Sequence, residues 1–241
     1  MSGFVDLHCH WLPGVDDGVD SLQDSVALLR SLADVGFDRV VATPHMRPGM
    51  FDNTAGELRL AFERAQAELA AVPALPERDL ASEHFFDDIV FRRLLAGEGL
   101  PYPGDAAVLL EFYDSNFPPR VEQLLSQLRQ RGLTPVIAHP ERYRVIWDRP
   151  SLLDGLLDSG AVALLDVAAL VGKYGRQPQR CAERLLESGS YHAACSDAHR
   201  VRDVVEVERG IDVIRRRYGD AEVDALLRAG PLEILAGRAL G

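Results

Sequence analysis

Short apolar runs alternate with longer amphipathic stretches along the whole chain. Phe4-Val5 leads into Asp6-Leu7-His8-Cys9-His10, read as the end of a buried strand. Residues 39–43, 78–86, 106–112, 135–139, 161–167 and 191–197 read as further strands, the second of these the weakest. Helical spacing fills the gaps. Asp20 or Ser21 caps a helix that ends at Gly36, with Val26, Leu29, Leu32 and Ala33 on one face. Further helices are predicted over about 54–71 (stopped by Pro73 and Pro76), 87–95, 118–131, 150–159, 178–188 and 202–218, with helical segments in the remaining tail. Strands of continuous apolar character separated by amphipathic helices imply a parallel sheet covered by helices. A (β/α) barrel and a doubly wound open sheet both satisfy the pattern. The missing Gly-x-Gly-x-x-Gly after the first strand counts against a dinucleotide-binding sheet. No linker, low-complexity tract or short repeat divides residues 1–241, so one domain is expected.

Composition narrows the function classes. Apolar residues make up 47% and charged residues 26%, ordinary for a globular protein. A net charge of -11 argues against a nucleic-acid surface, which needs a basic stripe. The same acidity would repel a phosphorylated substrate unless bound cations reversed the local field. Basic charge is almost all arginine, Lys173 being the only lysine. Cys9, Cys181 and Cys195 are scattered, which excludes a cysteine zinc knuckle and fits a reducing cytosol. With no leader pattern and no apolar run long enough to span a bilayer, a cytoplasmic protein without membrane insertion is expected.

The chemistry sits at strand ends. On the first strand, alternation places Asp6, His8 and His10 on one side and Leu7 and Cys9 on the other. Two imidazoles at that spacing can share one ion. His45, Glu83, Glu111 and His139 follow at the C-terminal ends of the next four strands, and Asp197 and His199 at the end of the seventh. Each has a structural reading alone: Glu111 paired with an arginine, His139 a satisfied core histidine, Asp197 a helix cap. Their recurrence at one end of successive strands is the signature of a barrel mouth. So many ligands exceed the needs of one catalytic zinc and suit two or three divalent ions. Close-set ions acidify a bound water and clamp the oxygens of a displacement at phosphorus, so metal-assisted hydrolysis is the expected reaction class. Phosphate esters suit it best, with amides and lactones as alternatives.

Asp6-x-His8-x-His10, Thr43-Pro-His45, Glu111-Phe, Ile137-Ala-His-Pro-Glu-Arg-Tyr143 and Ser196-Asp-Ala-His199 together resemble the polymerase and histidinol phosphatase (PHP) superfamily. Leu12-Pro-Gly-Val-Asp-Asp-Gly18, Val171-Gly-Lys-Tyr-Gly175 and Gly230-Pro-Leu-Glu-Ile-Leu make the chain similar to its capsule-type (CpsB-type) bacterial protein-tyrosine phosphatases. The resemblance implies a distorted (β/α)7 TIM-like barrel, the PHP fold, with a trinuclear site, manganese most often and iron or zinc in some members. It implies His8, His10, Asp17, His45, Glu83, Glu111, His139, Asp197 and His199 as metal ligands. Asp17 is chosen over Asp16 because it directly precedes the glycine. The resemblance makes Arg142 a contact for substrate phosphate, against the plainer reading of a surface ion pair with Glu141. Two segments depart from the family. Ala81 stands where a glycine usually precedes the third-strand glutamate, and Arg200-Val-Arg-Asp-Val replaces a stretch ending in Arg-Pro-Pro. Arg200 or Arg202 is therefore the candidate for a further phosphate contact.

The implied reaction is attack by a metal-activated hydroxide on tyrosyl phosphate, with Arg142 supporting the phosphate oxygens and Asp197 or a histidine such as His199 protonating the leaving group. A cysteine mechanism is excluded, because Cys-x5-Arg is absent and Val201 stands six residues after Cys195. Cys9 is read as packing. The implied partner is the tyrosine-rich tail of a bacterial tyrosine autokinase in capsule or exopolysaccharide synthesis, and a homo-oligomer is compatible with the chain. Met46, Met50 and Phe51 are candidates for packing against a tyrosine ring. The rivals are a small-molecule phosphomonoesterase of the histidinol-phosphatase type and a non-catalytic metal-binding scaffold.

Overall fold

The computed structural model describes residues 3–238. The expected single domain and helical tail extend into residues 1–2 and 239–241, which lie outside the described residues. Strands β1 (Phe4–Cys9), β2 (Phe37–Ala42), β3 (His45–Met46), β4 (Glu77–Leu80), β5 (Glu83–Phe85), β6 (Ala107–Glu111), β7 (Thr134–Ala138), β8 (Val162–Asp166) and β9 (Ala193–Cys195) are all parallel to their neighbours. They form two sheets, ordered β1-β2-β4 and β3-β5-β6-β7-β8-β9.

The strand predicted over residues 78–86 is two pieces. β4 pairs with β2 in one sheet and β5 pairs with β3 in the other. Thr43-Pro44 separates β2 from β3, and Ala81-Ser82 separates β4 from β5. Each couple is thus one barrel stave bent at a matched position. Pro44 has no N–H to donate, and its carbonyl accepts from Ser82 Oγ at 2.6 Å and Glu83 N at 3.2 Å, which ties the two bends together. Counted as staves, the strands number seven among the described residues. β9 meets β1 through the Cys9–Ala198 bridge, and His10 N donates to Ala198 O at 3.0 Å. The result is a distorted (β/α)7 barrel rather than an open doubly wound sheet.

Helices α1 (Leu22–Val35), α2 (Ala55–Leu69), α3 (Asp88–Leu95), α4 (Val121–Gln130), α5 (Arg144–Trp147), α6 (Ser151–Asp158), α7 (Arg176–Glu187), α8 (Val204–Tyr218), α9 (Asp220–Asp224) and α10 (Gly230–Leu235) accompany the strands. Their starts follow from side-chain chemistry. Ser21 caps α1, Thr54 and Glu57 form a reciprocal capping box on α2, and Asp87 accepts from the N–H groups of Ile89 and Val90. Such caps each contribute about 1 kcal/mol. Gly36 ends α1 at φ 118°, a conformation open to glycine at little cost.

Two apolar clusters support the mouth. The larger lies between helices and strands and includes Leu28, Leu29 and Leu32 of α1. The smaller joins alternate residues of the strands, among them Val5, Leu7, Leu109, Val136, Leu164 and Ala193. Tyr102 belongs to it and donates its hydroxyl proton to Leu7 O at 2.8 Å. No helix among the described residues is long and apolar enough to cross a membrane.

Candidate metal centre

The first strand does not keep strict alternation. Between Asp6 and Cys9, β1 advances three residues while β2 advances two. This bulge lets Leu7 join the smaller apolar cluster and Cys9 the larger. Asp6 is turned toward β9, where it accepts from Ser196 N at 3.0 Å and from the Ser196 hydroxyl. His8 and His10 still converge, with Nε2 atoms 3.2 Å apart. Bulges re-aim side chains next to active sites, and here one brings two imidazoles to the barrel mouth.

The other expected ligands meet them there. Oε2 of Glu83 lies 3.3 Å from His8 Nε2, 3.6 Å from His10 Nε2 and 3.0 Å from His45 Nδ1. Its other oxygen is 3.1 Å from His139 Nε2. Asp197 Oδ1 is 3.3 Å from His8 Nε2 and 3.4 Å from His10 Nε2. Asp17 Oδ1 sits 3.4 Å from His45 Nε2 and 3.5 Å from His199 Nε2, and Glu111 Oε2 is 4.0 Å from His45 Nδ1. Four overlapping sets have donor atoms mutually within 4.8 Å: His10, Asp17, His45 and His199; His8, His10 and Asp197; His8, Glu83 and His139; His45, Glu83 and Glu111. All nine expected ligands fall into these sets.

His45 Nδ1, Glu111 Oε2 and Asp197 Oδ1 are buried without a hydrogen-bond partner. Orphaned polar atoms are costly, and their concentration in a His and carboxylate cluster is the chemistry a hard or borderline divalent ion requires. The backbone is shaped to the same end. His139 and Asp197, each just beyond a strand, take left-handed φ values of 34° and 43°. Non-glycine residues there carry strain that packing around a functional site sustains.

The charges in the cluster lie close enough to set one another's ionisation. Burial opposes ionisation of Glu83, yet His8 and His45 together hold its carboxyl well below the usual range. Burial and the nearby Glu83 carboxylate push Glu111 up to about 7. Burial alone would lower His45, but Glu83 and Asp17 raise it to about 11. Burial, then Arg142, lowers His139 to about 4. A neutral imidazole is the form that binds a metal.

A family profile for capsular polysaccharide synthesis, CpsB/CapC, matches residues 4–236. The chain belongs to this family. As a CpsB/CapC member it is 32% identical over 221 residues to the tyrosine-protein phosphatase YwqE of Bacillus subtilis strain 168, covering 89% of this chain and 85% of that protein. It is 26% identical over 240 residues to the tyrosine-protein phosphatase CpsB of Streptococcus pneumoniae, covering 96% and 98%. Among solved structures, that of YwqE and CpsB, described as unique metal-dependent tyrosine phosphatases, superposes with a TM-score of 0.88 at 30% identity, over 97% of this chain and 95% of that one. A triple mutant of the organophosphorus hydrolase of Deinococcus radiodurans shares the fold alone, with a TM-score of 0.56 at 15% identity over 100% of this chain and 94% of that one.

Around the CpsB/CapC cluster, several expectations change. Arg142 makes no surface pair with Glu141. Its guanidinium donates to Asp197 Oδ2 and lies over Tyr174, its central carbon 4.5 Å from the ring centroid. Glu141 is fully buried, accepting from Asp166 N at 2.9 Å and from the Tyr191 hydroxyl at 2.9 Å. Arg200 Nη1 donates to the Asp17 and His199 carbonyls, both at 3.0 Å, so it braces two expected ligands. Arg202 lines a cavity of about 270 Å³ with Asp17, Arg142, Lys173 and His199. Met46 is a core residue, Met50 is exposed, and Phe51 lies flat on His45 with centroids 5.2 Å apart.

A second cavity at the mouth carries both aromatic and charged walls. It measures about 400 Å³, adjoins Glu111, His139 and Arg142, and has walls that include Phe85, Tyr113 and Trp147. Sequence reasoning missed these walls. The one available signal was Tyr174, inside the Val171-Gly-Lys-Tyr-Gly175 marker, which faces both cavities.

Proposed function

We propose that this chain is a metal-dependent protein-tyrosine phosphatase that uses two to three divalent ions, manganese first and iron or zinc as alternatives. Its substrate in this reading is the phosphotyrosine tail of a bacterial tyrosine kinase that governs capsule or exopolysaccharide synthesis, and the setting is the cytoplasm. One observation carries the proposal: nine His, Asp and Glu side chains form four overlapping donor sets at a barrel mouth, beside a cavity with aromatic walls. The metal-dependent tyrosine phosphatases that the chain resembles along nearly all its length support the same reading. Three free, buried cysteines support the cytoplasmic setting.

In this reading His8, His10, Asp17, His45, Glu83, Glu111, His139, Asp197 and His199 hold the ions. When bound, the ions supply an activated water and neutralise the phosphate. The protein does the rest. Arg142, fixed between Asp197 and Tyr174, presents a planar fork to the nonbridging phosphate oxygens and stabilises charge gathering there. Asp197 keeps its negative charge although burial opposes it, because His8 and His10 hold its carboxyl well below the usual range. Its catalytic part is therefore to hold cations and position Arg142, and that of His199 is to hold cations. A phenolate is a good leaving group and needs little help from an acid. Arg200 orders the ligand loops, and Arg202 stands at the rim, where a flanking anionic group of the substrate would meet it.

The test is hydrolysis of a phosphotyrosyl peptide by manganese-loaded protein, beside chelator-stripped protein and His139→Ala. Activity only in the loaded wild type is expected. No turnover by fully loaded protein, with turnover of a small phosphomonoester instead, would replace this reading with the small-molecule phosphatase.

A further inference from the structure

We infer that Asn53 is a positioning residue for the metal centre: its amide clamps the Asp16-Asp17 loop to the backbone of His45 and so assembles the donor set of His10, Asp17, His45 and His199. The inference rests on the metal-centre part of the proposed function and concerns the one ion that this set would hold.

The four donor sets are not built alike. Three of them contain no exposed residue. The fourth lies at the rim, where the Asp17 side chain is 55% exposed and that of His199 27%. His10 and His45 stand at stave ends, but Asp17 and His199 lie beyond any strand. A ligand on a loop is placed only as precisely as the loop is held. Asp17 belongs to no other set, so the placement of residues 12–18 decides whether this one closes.

The loop closes on itself through Gly14 N, which donates to Val19 O at 2.9 Å, and Val19 N, which donates to His10 O at 3.2 Å. Two groups tie it to the second stave. One is the Asp16 carboxylate, which accepts from His45 N. The other is Asn53, whose Nδ2 donates to Val15 O at 2.9 Å and to His45 O at 2.8 Å. Val15 immediately precedes the two aspartates, and His45 is itself an expected ligand. The residue type is what this geometry demands. Both partners are carbonyl oxygens, so one atom must donate twice, which an amide nitrogen does and a hydroxyl or carboxylate does not. Asn53 is fixed from its other side as well, because it directly precedes Thr54, whose reciprocal bonds with Glu57 set the start of α2. The start of α2 thereby holds a ligand loop and a ligand strand together.

The experiment counts manganese on the full chain, without substrate. Chelator-stripped protein is titrated with manganese, free ion being read by its paramagnetic resonance, in wild type, Asn53→Leu, Asn53→Ala, Asp17→Asn and the double variant Asn53→Leu with Asp17→Asn. Leucine keeps the side-chain volume and removes both donors, and Thr54 and Glu57 remain to start α2. The weakest manganese of the wild type is expected to bind about 10- to 100-fold more weakly in both Asn53 variants, the range for partners that orient a ligand. The tighter ions are expected to stay unchanged. In Asp17→Asn, where the rim set is already broken, adding Asn53→Leu is expected to change nothing further, because changes acting through one site do not add. A merely structural role would lower the melting temperature without this non-additivity. Unchanged binding in Asn53→Leu, a loss confined to Asn53→Ala, or a further loss of the tighter ions in the double variant overturns the inference. Wild type that binds no manganese overturns it together with the metal centre. The expected binding pattern in a protein that hydrolyses no phosphotyrosyl peptide supports the inference and removes the phosphatase reading alone.

Discussion

Nδ1 of His10 lies 2.7 Å from Oδ2 of Asp16, and the same oxygen accepts from the backbone N–H of His45 at 3.1 Å. One carboxylate thus fixes the ring of one expected metal ligand and the backbone of another, while its second oxygen accepts from Gly18 N at 2.9 Å. The consecutive aspartates divide the work: Asp17 faces the donor set, and Asp16 stands behind it. With Nδ1–H engaged by Asp16, His10 keeps Nε2 free for an ion. Partners of this kind typically change metal affinity by about 10- to 100-fold. Asp16→Ala is expected to weaken manganese binding in that range without removing a ligand, and Asp16→Asn by less. Chelator competition on the purified variants reads the difference, and unchanged affinity in Asp16→Ala would contradict the role.

Glu83 is the residue the cluster can least do without. It lies in two donor sets, approaches four histidines and is almost fully buried. Glu83→Gln keeps the shape and removes the charge. It is expected to leave at least one ion fewer per chain and to cut phosphotyrosine hydrolysis by about 100-fold or more, a range typical of lost electrostatic groups. Elemental analysis of metal per chain checks the first expectation and initial rates the second. Full metal content in Glu83→Gln would show that Glu83 is not a ligand.

Much of this was legible from residues alone. The alternation of apolar runs and amphipathic stretches pointed to a parallel sheet covered by helices, because parallel strands buried on both faces leave unbroken apolar runs such as Val108-Leu109-Leu110; the choice of a barrel over an open sheet came from the polar residues at the strand ends and the family resemblance. The candidate ligands at strand ends were legible because polar groups after such runs stand out, and the structure brings them together. The bends at Pro44 and Ser82 were not, since the residues of a strand do not say which neighbour it pairs with, and β4 to β5 reads as one stretch although each half belongs to a different sheet. The bulge at Leu7 was equally silent, because strict alternation is the only strand rule a lone sequence supplies. Glu141 shows the limit most clearly. Between His139-Pro140 and Arg142 it reads as a surface charge, and only the packing of Tyr191 and the Asp166 N–H against it reveals an inward turn.

That inward turn makes stability depend on pH. Burial, reinforced by the Asp166 carboxylate, pushes the Glu141 carboxyl up from 4.5 to about 8. Below pH 4.5 folded and unfolded chains both hold the proton, so the group costs nothing. Between about pH 4.5 and 8 the unfolded chain releases it and the folded chain keeps it, so this group's contribution falls as pH rises. Glu141→Gln keeps an acceptor for the Asp166 N–H and cannot ionise. The melting temperature of the variant relative to wild type is expected to climb steadily from pH 5 to pH 8, equivalent to a few kcal/mol at most. Thermal unfolding at saturating manganese across that range measures it. A constant difference would show that Glu141 is ionised in the fold.

Arg142 separates ion holding from phosphate holding. Its guanidinium touches Asp197, lies over the Tyr174 ring and comes within 4.0 Å of Asp166, while reaching both cavities of the mouth. Burial disfavours its charge, but Asp197, Tyr174 and Asp166 hold its pKa above the ordinary arginine value, so it is a cation at every working pH. Arg142→Lys preserves the charge and loses the plane, and an ammonium cannot offer two parallel N–H groups to phosphate. The variant is expected to keep its full metal content and fall about 10- to 100-fold in kcat, the effect of losing an oriented donor in the transition state. Steady-state kinetics on phosphotyrosyl peptide, paired with elemental analysis, distinguishes the outcomes. A loss of metal in proportion to activity would assign Arg142 to the integrity of the cluster through Asp197, and a kcat equal to wild type would remove it from the chemistry.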